Sequence, residues 1–239
     1  MKPPIYVPSG AAGEYGDYAL NISLTCPHRC YYCYCPKCLH KPAEEFFDYK
    51  GPRLGIVEAT KQQLENEGIT GKLIHLCFIG DPYPKGYDSS TTREIIKLLK
   101  ESGNHVQILT KNGRDSIRDF DLLDDKDWFG VTISCGYNMS RVAEPNTDSS
   151  PVRLDALFEA KVSGISTWVS CEPVLEPDFI YHLIKVGDYI DRFKIGKLNY
   201  HPSIINWAEF GKTAEELCIR YHRDYYIKDS LRKEMERET

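Results

Sequence analysis

Apolar residues along the chain form two kinds of pattern, and the two kinds alternate. Short, mostly apolar runs bounded by glycine, proline or polar residues are typical of buried strands. We predict such strands at residues 18–24, 73–79, 105–110, 130–135, 166–171 and 192–195. Between these runs, apolar residues recur every three or four positions, which is the spacing of one helix face. Helices are therefore predicted at residues 54–68, 90–102, 114–124, 152–162 and 177–187.

Alternating strands and helices predict a parallel sheet whose strands are joined by right-handed helical crossovers. Six such units are fewer than the eight of a closed α/β barrel. The tail repeats the pattern, with a helix near 206–222, a short strand at 225–227 and a charged, helix-prone end. Residues 1–17, rich in proline and glycine, are expected to lie as an extended arm over the edge of the sheet.

Length and composition narrow the possible functions. The 239 residues, 27% of them charged and 41% hydrophobic, are ordinary for one large globular α/β domain. A net charge of −5 gives no general basic surface for nucleic acid, although a local basic groove is compatible with it. No apolar stretch approaches the roughly 20 residues of a membrane helix, and we expect no secretory leader. Nine cysteines then indicate a reducing, cytoplasmic location.

Five of the nine cysteines lie between residues 26 and 38, directly after the first predicted strand. Cys26, Cys30 and Cys33 have the spacing Cys-x3-Cys-x2-Cys, which lets one short loop hold three thiolates around an iron–sulfur cluster. Because a cubane has four irons, three cysteines leave one iron open to a small molecule. A zinc site would want four ligands in two pairs. A disulfide fits poorly with an odd cysteine count and a reducing compartment.

The loop also carries an aromatic residue, Tyr32, directly before its third cysteine. It therefore resembles the Cys-x3-Cys-x-aromatic-Cys hallmark of the radical SAM (S-adenosylmethionine) superfamily. The closer resemblance is to the spore photoproduct lyase-like branch, sometimes called DNA repair photolyases, and it runs from Asn21 to about Arg232. It implies an open partial (β/α)6 TIM-like barrel, a [4Fe–4S] cluster on the three cysteines, and S-adenosyl-L-methionine on the open iron. The implied reaction cleaves this cofactor to methionine and a 5′-deoxyadenosyl radical, which abstracts a hydrogen atom.

Chemistry in a parallel α/β barrel sits at the C-terminal ends of the strands, and this chain carries polar residues there. Gly80, Asp81 and Pro82 follow the second strand. Their backbone carbonyls and the carboxylate are expected to receive the methionine ammonium of SAM, and an ordinary turn is the alternative. Asn21, in the first strand, is expected to hold the cluster loop through backbone hydrogen bonds.

The resemblance assigns further contacts to the cofactor. It implies that Lys111 contacts the carboxylate of SAM, that Ser134 contacts the ribose, and that Tyr32 packs near the adenine. Glu144 and Arg153 also match a family segment, and they either bind a ligand or brace a loop. A lone lysine at a strand end is otherwise usually solvated, so these assignments depend on the resemblance.

Two residues are candidates for catalysis because of the same resemblance. Lyases of this branch use a cysteine after the second strand and a tyrosine beside the last cluster cysteine to return a hydrogen atom to the substrate radical. Cys77 and Tyr34 occupy similar positions here. The alternative for Cys77 is a small buried core residue, which is what a free cysteine often is.

The remaining cysteines have no role in this scheme. Cys35 and Cys38, even with His40, supply too few ligands for a second metal, so we interpret them as reduced surface thiols near the cluster. Cys135 and Cys171 are candidates to line the cavity, and Cys218 is expected in a helix core.

Three functional hypotheses follow. The first is a radical SAM enzyme with lyase-like chemistry on a nucleic-acid base, and the second is such an enzyme acting on a small metabolite or peptide. The third is a non-catalytic iron–sulfur electron carrier or redox sensor, which would not need an open iron. The first two require a one-electron reductant such as flavodoxin or ferredoxin. The predicted organisation is an arm at 1–17, the partial barrel at 18–200 and a C-terminal helical extension at 201–239 packed on the barrel.

Overall fold

The computed structural model describes residues 3–237, and its centre is one eight-stranded sheet. Within residues 3–237 the spatial order of the strands follows the chain, and only the first strand runs antiparallel to its neighbour. The first and last strands are the two edges, so the sheet is an open barrel, which confirms the predicted fold class. The strands are β1 (Ile5–Tyr6), β2 (Tyr18–Leu20), β3 (Leu73–Leu76), β4 (His105–Thr110), β5 (Trp128–Thr132), β6 (Ser166–Cys171), β7 (Arg192–Ile195) and β8 (Asp224–Ile227).

Helices connect the parallel strands and bury one apolar face against the sheet or each other. In the helix after β3, for example, Ile95, Ile96 and Leu99 recur at helical spacing and are fully buried. The α-helices are α1 (Cys35–Cys38), α2 (Ala43–Phe47), α3 (Ile56–Glu67), α4 (Ser90–Glu101), α5 (Gly113–Ser116), α6 (Tyr137–Ala143), α7 (Ser150–Val162), α8 (Pro177–Val186), α9 (Trp207–Arg220) and α10 (Asp229–Glu236). No helix among residues 3–237 is long and apolar enough to cross a membrane.

Three strands, β4, β6 and β7, have the predicted bounds, but two others end early. β2 stops at Leu20, four residues before the end of its apolar run, and β3 stops at Leu76, three residues before the end of its run. The reason is local: Cys77 has φ 69°, a left-handed conformation that ends a strand, and the Asn21 side chain accepts the Ile79 amide. The two apolar runs therefore leave the sheet and become loops at the mouth of the barrel.

Other predictions needed correction at the level of bounds. β5 begins two residues before the predicted start and ends three residues before the predicted end. Residues 133–135 continue the apolar run after the strand pairing of β5 has ended. The predicted helix at 114–124 is the short α5 followed by a 3-10 helix, Ile117–Leu122. Residues 39–53, for which the apolar pattern predicts no element, contain α2, and the Phe46 side chain on it is completely buried.

The barrel interior is filled by side chains from facing strands. The Trp168 indole crosses the interior over Gly130, where an added Cβ atom would lie only 2.2 Å from Trp168 Nε1. That nitrogen donates to the Ile108 carbonyl at 3.0 Å, so the ring is fixed in place. Glycine at position 130 is thus required by close packing, and it shapes the floor of the barrel.

The N-terminal segment joins the two edges of the open sheet. Its strand β1 pairs with β2 at one edge. Farther along, the Ala11 carbonyl accepts a hydrogen bond from Lys228, directly after β8 at the other edge, at 3.0 Å. The Tyr15 side chain then enters the barrel, and the Tyr15 carbonyl accepts from Lys194 of β7 at 3.2 Å. The division into arm, barrel and extension stays a prediction, and its outermost residues, 1–2 and 238–239, lie outside the described part.

Candidate functional site

One cavity of about 420 Å³ opens at the C-terminal ends of the strands and runs into the barrel. Its wall is formed by the cysteine loop (residues 26–38), the segment after β3, the start of the loop after β4, the N-terminal segment and the loop after β7. The wall residues that matter below are Tyr15, Cys26, Cys30, Tyr32, Cys33, Tyr34, His75, Cys77, Phe78, Gly80, Asp81, Lys111, Ser170, Glu172 and Lys228. The parallel topology therefore brings together predicted residues that are far apart in sequence.

The cysteine loop is held to two other parts of the molecule. The Cys26 amide donates to the Phe46 carbonyl at 3.0 Å, and the Tyr31 amide donates to the Ala143 carbonyl at 3.0 Å. Within the loop, the Cys33 amide donates to the Cys30 carbonyl at 3.1 Å. Cys26 and Cys30 are buried, and Cys33 is partly exposed. Backbone bonds to fixed elements thus place the three thiols without using the sulfur atoms.

The positions of the sulfur atoms can be compared with the geometry of a single bound ion. A tetrahedral zinc ion with sulfur ligands at about 2.3 Å requires sulfur atoms about 3.8 Å apart. Among residues 3–237, no three cysteines have sulfur atoms all within 4.8 Å of one another. Three thiols on one loop that lines one cavity are compatible with a multi-iron cluster.

The thiols differ in how easily they ionise. Burial raises the pKa of Cys30 to about 12. A hydrogen bond from the Cys35 thiol, outweighing burial and helped by the Lys111 charge, lowers the pKa of Cys33 to about 7. Cys35 itself is buried, with its thiol 3.7 Å from the Phe78 carbonyl, whereas Cys38 is exposed. The interpretation of both as surface thiols is therefore wrong for Cys35, because the short helix α1 turns it inward.

Lys111 lies directly after β4 and presents its ammonium to the cavity. Its backbone amide donates to Asp81 Oδ2 at 2.9 Å, and its Nζ stands 5.5 Å from the centre of the Tyr32 ring. Burial opposes the charged form, but Cys30 and Glu144 outweigh it and raise the pKa of Lys111. A charged lysine without a carboxylate at ion-pair distance, within the described residues, is suited to receive an anionic group.

Tyr32 and Ser134 belong to a buried network behind Lys111. Ser134 Oγ lies 3.1 Å from the Tyr32 hydroxyl, and that hydroxyl donates to Glu144. Arg153 pairs with Glu144, both fully buried, and donates to the Thr132 carbonyl at 2.8 Å. Burial would raise the pKa of Glu144, but Arg153 and Lys111 hold it below its ordinary value. Of the two alternatives for Glu144 and Arg153, the geometry favours bracing: they position Tyr32.

The turn after β3 connects the cysteine loop to β4. Asp81 accepts from Thr110 Oγ1 at 2.6 Å as well as from the Lys111 amide, so its carboxylate is used within the protein. Gly80 has φ 80°, and an added Cβ atom would lie 2.9 Å from the Thr25 carbonyl oxygen. The Pro82 carbonyl accepts from Thr92. Gly80 and Asp81 line the cavity, and the turn holds Lys111 in place.

Cys77 and Tyr34 line the same cavity but do not contact each other. The Cys77 sulfur is buried and accepts the Ile22 amide at 3.4 Å. Burial raises the pKa of Cys77 to about 12. The Tyr34 hydroxyl donates to the Phe78 carbonyl at 2.7 Å. Tyr34 therefore binds the residue that directly follows Cys77 in the chain. A hydrogen-atom relay between Cys77 and Tyr34 stays a prediction.

Several cavity residues were missed from the sequence, among them Tyr15, His75 and Phe78. Tyr15 lies in a segment interpreted only as an arm, and His75 and Phe78 lie in a run interpreted only as a strand. His75 is a single polar residue within an apolar strand, which was the one available signal. Asn21 also differs from expectation, since its side chain holds the segment after β3 and not the cysteine loop.

No protein-family model matches this chain. An uncharacterised protein of Methanocaldococcus jannaschii is 27% identical over 169 residues, covering 68% of this chain and 62% of its own length. An uncharacterised protein of Acidianus two-tailed virus is 28% identical over 212 residues, covering 77% of this chain and 68% of its own length. The chain thus spans less than two thirds of the archaeal relative.

Solved structures give a clearer result. A spore photoproduct lyase mutant with bound AdoMet and dinucleoside spore photoproduct superimposes with TM-score 0.69 and 12% identity, over 93% of this chain and 79% of that one. SuiB of Streptococcus suis bound to precursor peptide SuiA superimposes with TM-score 0.66 and 11% identity, over 92% of this chain and 50% of that one. This chain has the fold of these two proteins. The resemblance inferred from the cysteine spacing is thereby confirmed for the fold.

Proposed function

We propose that the protein is a radical SAM enzyme. The observation that carries the proposal is the convergence of the three-cysteine loop, Tyr32 and Lys111 on one cavity at the C-terminal mouth of an open barrel. An electron carrier has no need of a cavity beside its cluster, so the third hypothesis from the sequence is disfavoured. The shared fold of spore photoproduct lyase and SuiB supports the same choice.

In this proposal Cys26, Cys30 and Cys33 hold a [4Fe–4S] cluster, and S-adenosyl-L-methionine lies beside it. The bound cluster and SAM supply the 5′-deoxyadenosyl radical, while the protein supplies position and a water-poor cavity. Lys111 receives the carboxylate of SAM, Tyr32 packs by the adenine, and Ser134 supports that side through the Tyr32 hydroxyl. Gly80, Asp81 and Pro82 form the turn that places Lys111.

Cys77 and Tyr34 are the proposed donors of a hydrogen atom to the substrate radical. Both line the cavity, and the Phe78 carbonyl lies between them. Hydrogen transfer needs reacting atoms about 3–3.5 Å apart, so substrate or SAM has to bridge the gap from the Cys77 sulfur. A one-electron reductant such as flavodoxin or ferredoxin is required as partner, and a cytoplasmic location would supply it.

The substrate class has two candidates. The titles of the fold relatives name a dinucleoside for the lyase and a peptide for SuiB. We therefore keep lyase-like chemistry on a nucleic-acid base as the first candidate, with a small metabolite or peptide as the second.

The test is anaerobic reconstitution with iron and sulfide, followed by addition of dithionite and SAM. We expect about four irons per chain and the formation of methionine and 5′-deoxyadenosine. A cluster that forms but never cleaves SAM would favour the electron carrier. A protein that binds zinc and no cluster would refute the proposal altogether.

A further inference from the structure

An open groove of about 810 Å³ lies on the other side of the cysteine loop from the cavity. Cys26, His28 and Cys30 line the cavity, whereas Pro27 and Arg29 line the groove. Alternate residues of the loop therefore border opposite sides of it, and within residues 3–237 no residue lines both. One layer of backbone separates the groove from the position proposed for the cluster.

Hydrogen bonds fix the groove to the cysteine loop. The Asn146 side chain, which lines the groove, donates to the Pro27 carbonyl at 2.9 Å. The Lys85 backbone amide donates to Nε2 of the buried His28 at 3.1 Å. Lys85 Nζ in turn donates to Asp148 Oδ1 at 2.8 Å. A surface held in this way is preorganised, which lowers the entropic cost of binding a partner.

Aromatic side chains give the groove apolar contact area. The rings of Tyr49 and Tyr87 lie edge to face with centroids 4.7 Å apart, and Tyr87 is 51% exposed. Phe47 also lines the groove, and the guanidinium carbon of Arg29 lies 5.7 Å from the centre of its ring. Tyrosine, phenylalanine and arginine are enriched in the interfaces between proteins.

The charge of the groove is opposite in sign to that of the whole chain. Three cations and two carboxylates line the groove, although the chain has a net charge of −5. Arg29 pairs with Glu44 at 3.1 Å, and Lys85 pairs with Asp148. Arg141, exposed in the last turn of α6, has no ion-pair or hydrogen-bond partner among residues 3–237. The groove therefore presents an unpaired positive charge, which attracts an acidic surface.

The position of the groove suits an electron donor. The reaction proposed above takes up one electron for each SAM that is cleaved, and SAM and substrate then occupy the cavity, so a donor at the cavity mouth would compete with them. A nucleic-acid strand fits the groove less well, because its phosphates require a row of cations. Two of the three cations here already have carboxylate partners.

We propose that this groove is the docking site of flavodoxin, a small acidic one-electron donor. The edge of its flavin would lie over Pro27 and pack against Tyr49 and Tyr87. The reduced flavin loses one electron, the cluster gains it, and no atom passes to this chain. This inference rests on the proposed function, because it identifies the face through which that reaction receives its electron.

The first test follows electron transfer by mixing reduced flavodoxin with the reconstituted protein and recording the loss of cluster absorbance. We expect Arg141→Glu to lower the second-order rate constant about tenfold at low ionic strength. The difference from the natural protein should disappear in about 1 M salt, where charges are screened beyond about 3 Å. Dithionite, a small reductant that needs no docking, should reduce both proteins at the same rate.

The matched control is Arg220→Glu, the same change of charge at an exposed position on α9 outside the groove. It should leave the rate constant with flavodoxin unchanged. Equal effects of Arg141→Glu and Arg220→Glu, or no effect of Arg141→Glu, would overturn the proposal. Faster reduction by ferredoxin than by flavodoxin would overturn the choice of carrier.

The second test measures binding without electron transfer, by calorimetry with oxidised flavodoxin and the reconstituted protein under anaerobic conditions. Tyr87→Ala removes an exposed ring of the groove, and we expect it to weaken flavodoxin binding about fivefold. This variant also provides a test should Arg141→Glu not fold. Unchanged affinity in both variants would show that flavodoxin docks elsewhere.

Two further measurements separate the possible outcomes. Binding of a labelled single-stranded oligonucleotide is measured by fluorescence anisotropy. If Arg141→Glu abolishes it and leaves reduction by flavodoxin unchanged, the groove binds nucleic acid and the proposal falls. Formation of 5′-deoxyadenosine with dithionite is measured on the same preparation. If it fails while the flavodoxin results hold, the proposed function falls and the docking site stands; the opposite result removes only the docking site.

Discussion

At the scale of single residues, the site depends on a few side chains whose charge or polarity is fixed by burial. Lys111 is charged inside a cavity wall because Cys30 and Glu144 outweigh the cost of burial. Arg153 and Glu144 are both completely buried and hold Tyr32 from behind. These positions could all be selected from the sequence. Only their contacts show that Lys111 is free to bind a ligand, whereas Glu144 and Arg153 brace the site.

The first prediction concerns Lys111→Met. A charge-assisted hydrogen bond contributes about 1.5–3 kcal/mol, so SAM binding should weaken roughly 10- to 100-fold. Calorimetry on reconstituted protein measures this, with Lys126→Met, on an exposed loop, as the matched control. Unchanged affinity in Lys111→Met would remove this lysine from the SAM site.

The second prediction concerns the buried ion pair. Arg153→Met leaves the Glu144 carboxylate without its partner, which should lower the free energy of unfolding by about 3–5 kcal/mol. Urea unfolding measures the loss. Arg29→Met breaks an exposed pair with Glu44 and should change stability far less. Equal effects of the two substitutions would contradict the bracing role.

The third prediction is a pH dependence from the same pair. The folded protein holds the pKa of Glu144 below its ordinary 4.5, so the unfolded chain takes up this proton first. The contribution to stability is complete above pH 4.5 and is lost as pH falls through the folded pKa. The stability difference between the natural protein and Glu144→Gln should therefore shrink in acid. A difference independent of pH between 7 and 3 would contradict this.

At the scale of elements, loops and strand ends carry the site, while strands and helices only position them. The cysteine loop begins where β2 stops, and the turn with Gly80 and Asp81 begins where β3 stops. Both strands end early because the left-handed residue Cys77 and the Asn21 side chain interrupt the backbone hydrogen bonding between them. The cysteine loop is attached to α2 and α6 by backbone hydrogen bonds.

The fourth prediction tests which thiols of the cysteine loop bind the cluster. Cys33→Ala should lose the intact cluster, because the cavity then offers only two of the three predicted ligands. Cys38→Ala, which removes an exposed thiol of the same loop, should retain it. Iron counting and paramagnetic resonance after anaerobic reconstitution distinguish the two. A full cluster in Cys33→Ala, or none in Cys38→Ala, would show that the ligand set is different.

At the scale of the whole molecule, the open barrel is completed by the N-terminal segment. This segment pairs with β2 at one edge and contacts Lys228 beyond β8 at the other. Lys228 is 1% exposed and lies between the Glu14 and Glu172 carboxylates. One lysine therefore connects the arm to the far edge of the sheet and to the wall of the cavity.

The fifth prediction follows from this arrangement. Lys228→Met leaves two carboxylates facing each other without the cation, so residues 9–15 should detach more often from the barrel. Hydrogen exchange in that segment should become faster than in the natural protein, while β4 and β6 keep their protection. Lys233→Met, an exposed change on α10, is the control. Unchanged exchange in the segment would show that β1 alone holds it.

Much of the fold could be predicted because it depends on local pattern. The apolar runs of β4, β6 and β7 and the helical spacing around α4 and α8 specify an alternating α/β chain wherever those elements finally lie. The cysteine spacing likewise placed three thiols on one loop, because reach along a short loop depends only on the number of residues between them. For Lys111 and Ser134 the family resemblance was also needed.

The tertiary structure decided what depends on contacts between distant segments. Tyr15 and His75 are 60 residues apart in the numbering, yet only the arm crossing to β8 brings the phenol beside the imidazole. Cys35 is two residues from Cys33, but only the turn of α1 buries it. Periodicity along a chain reports which face of an element is buried, whereas the partner across that face is set by the path of the whole chain. For this reason the sequence by itself determined the elements and the cysteine loop, and the barrel alone decided which polar groups meet inside it.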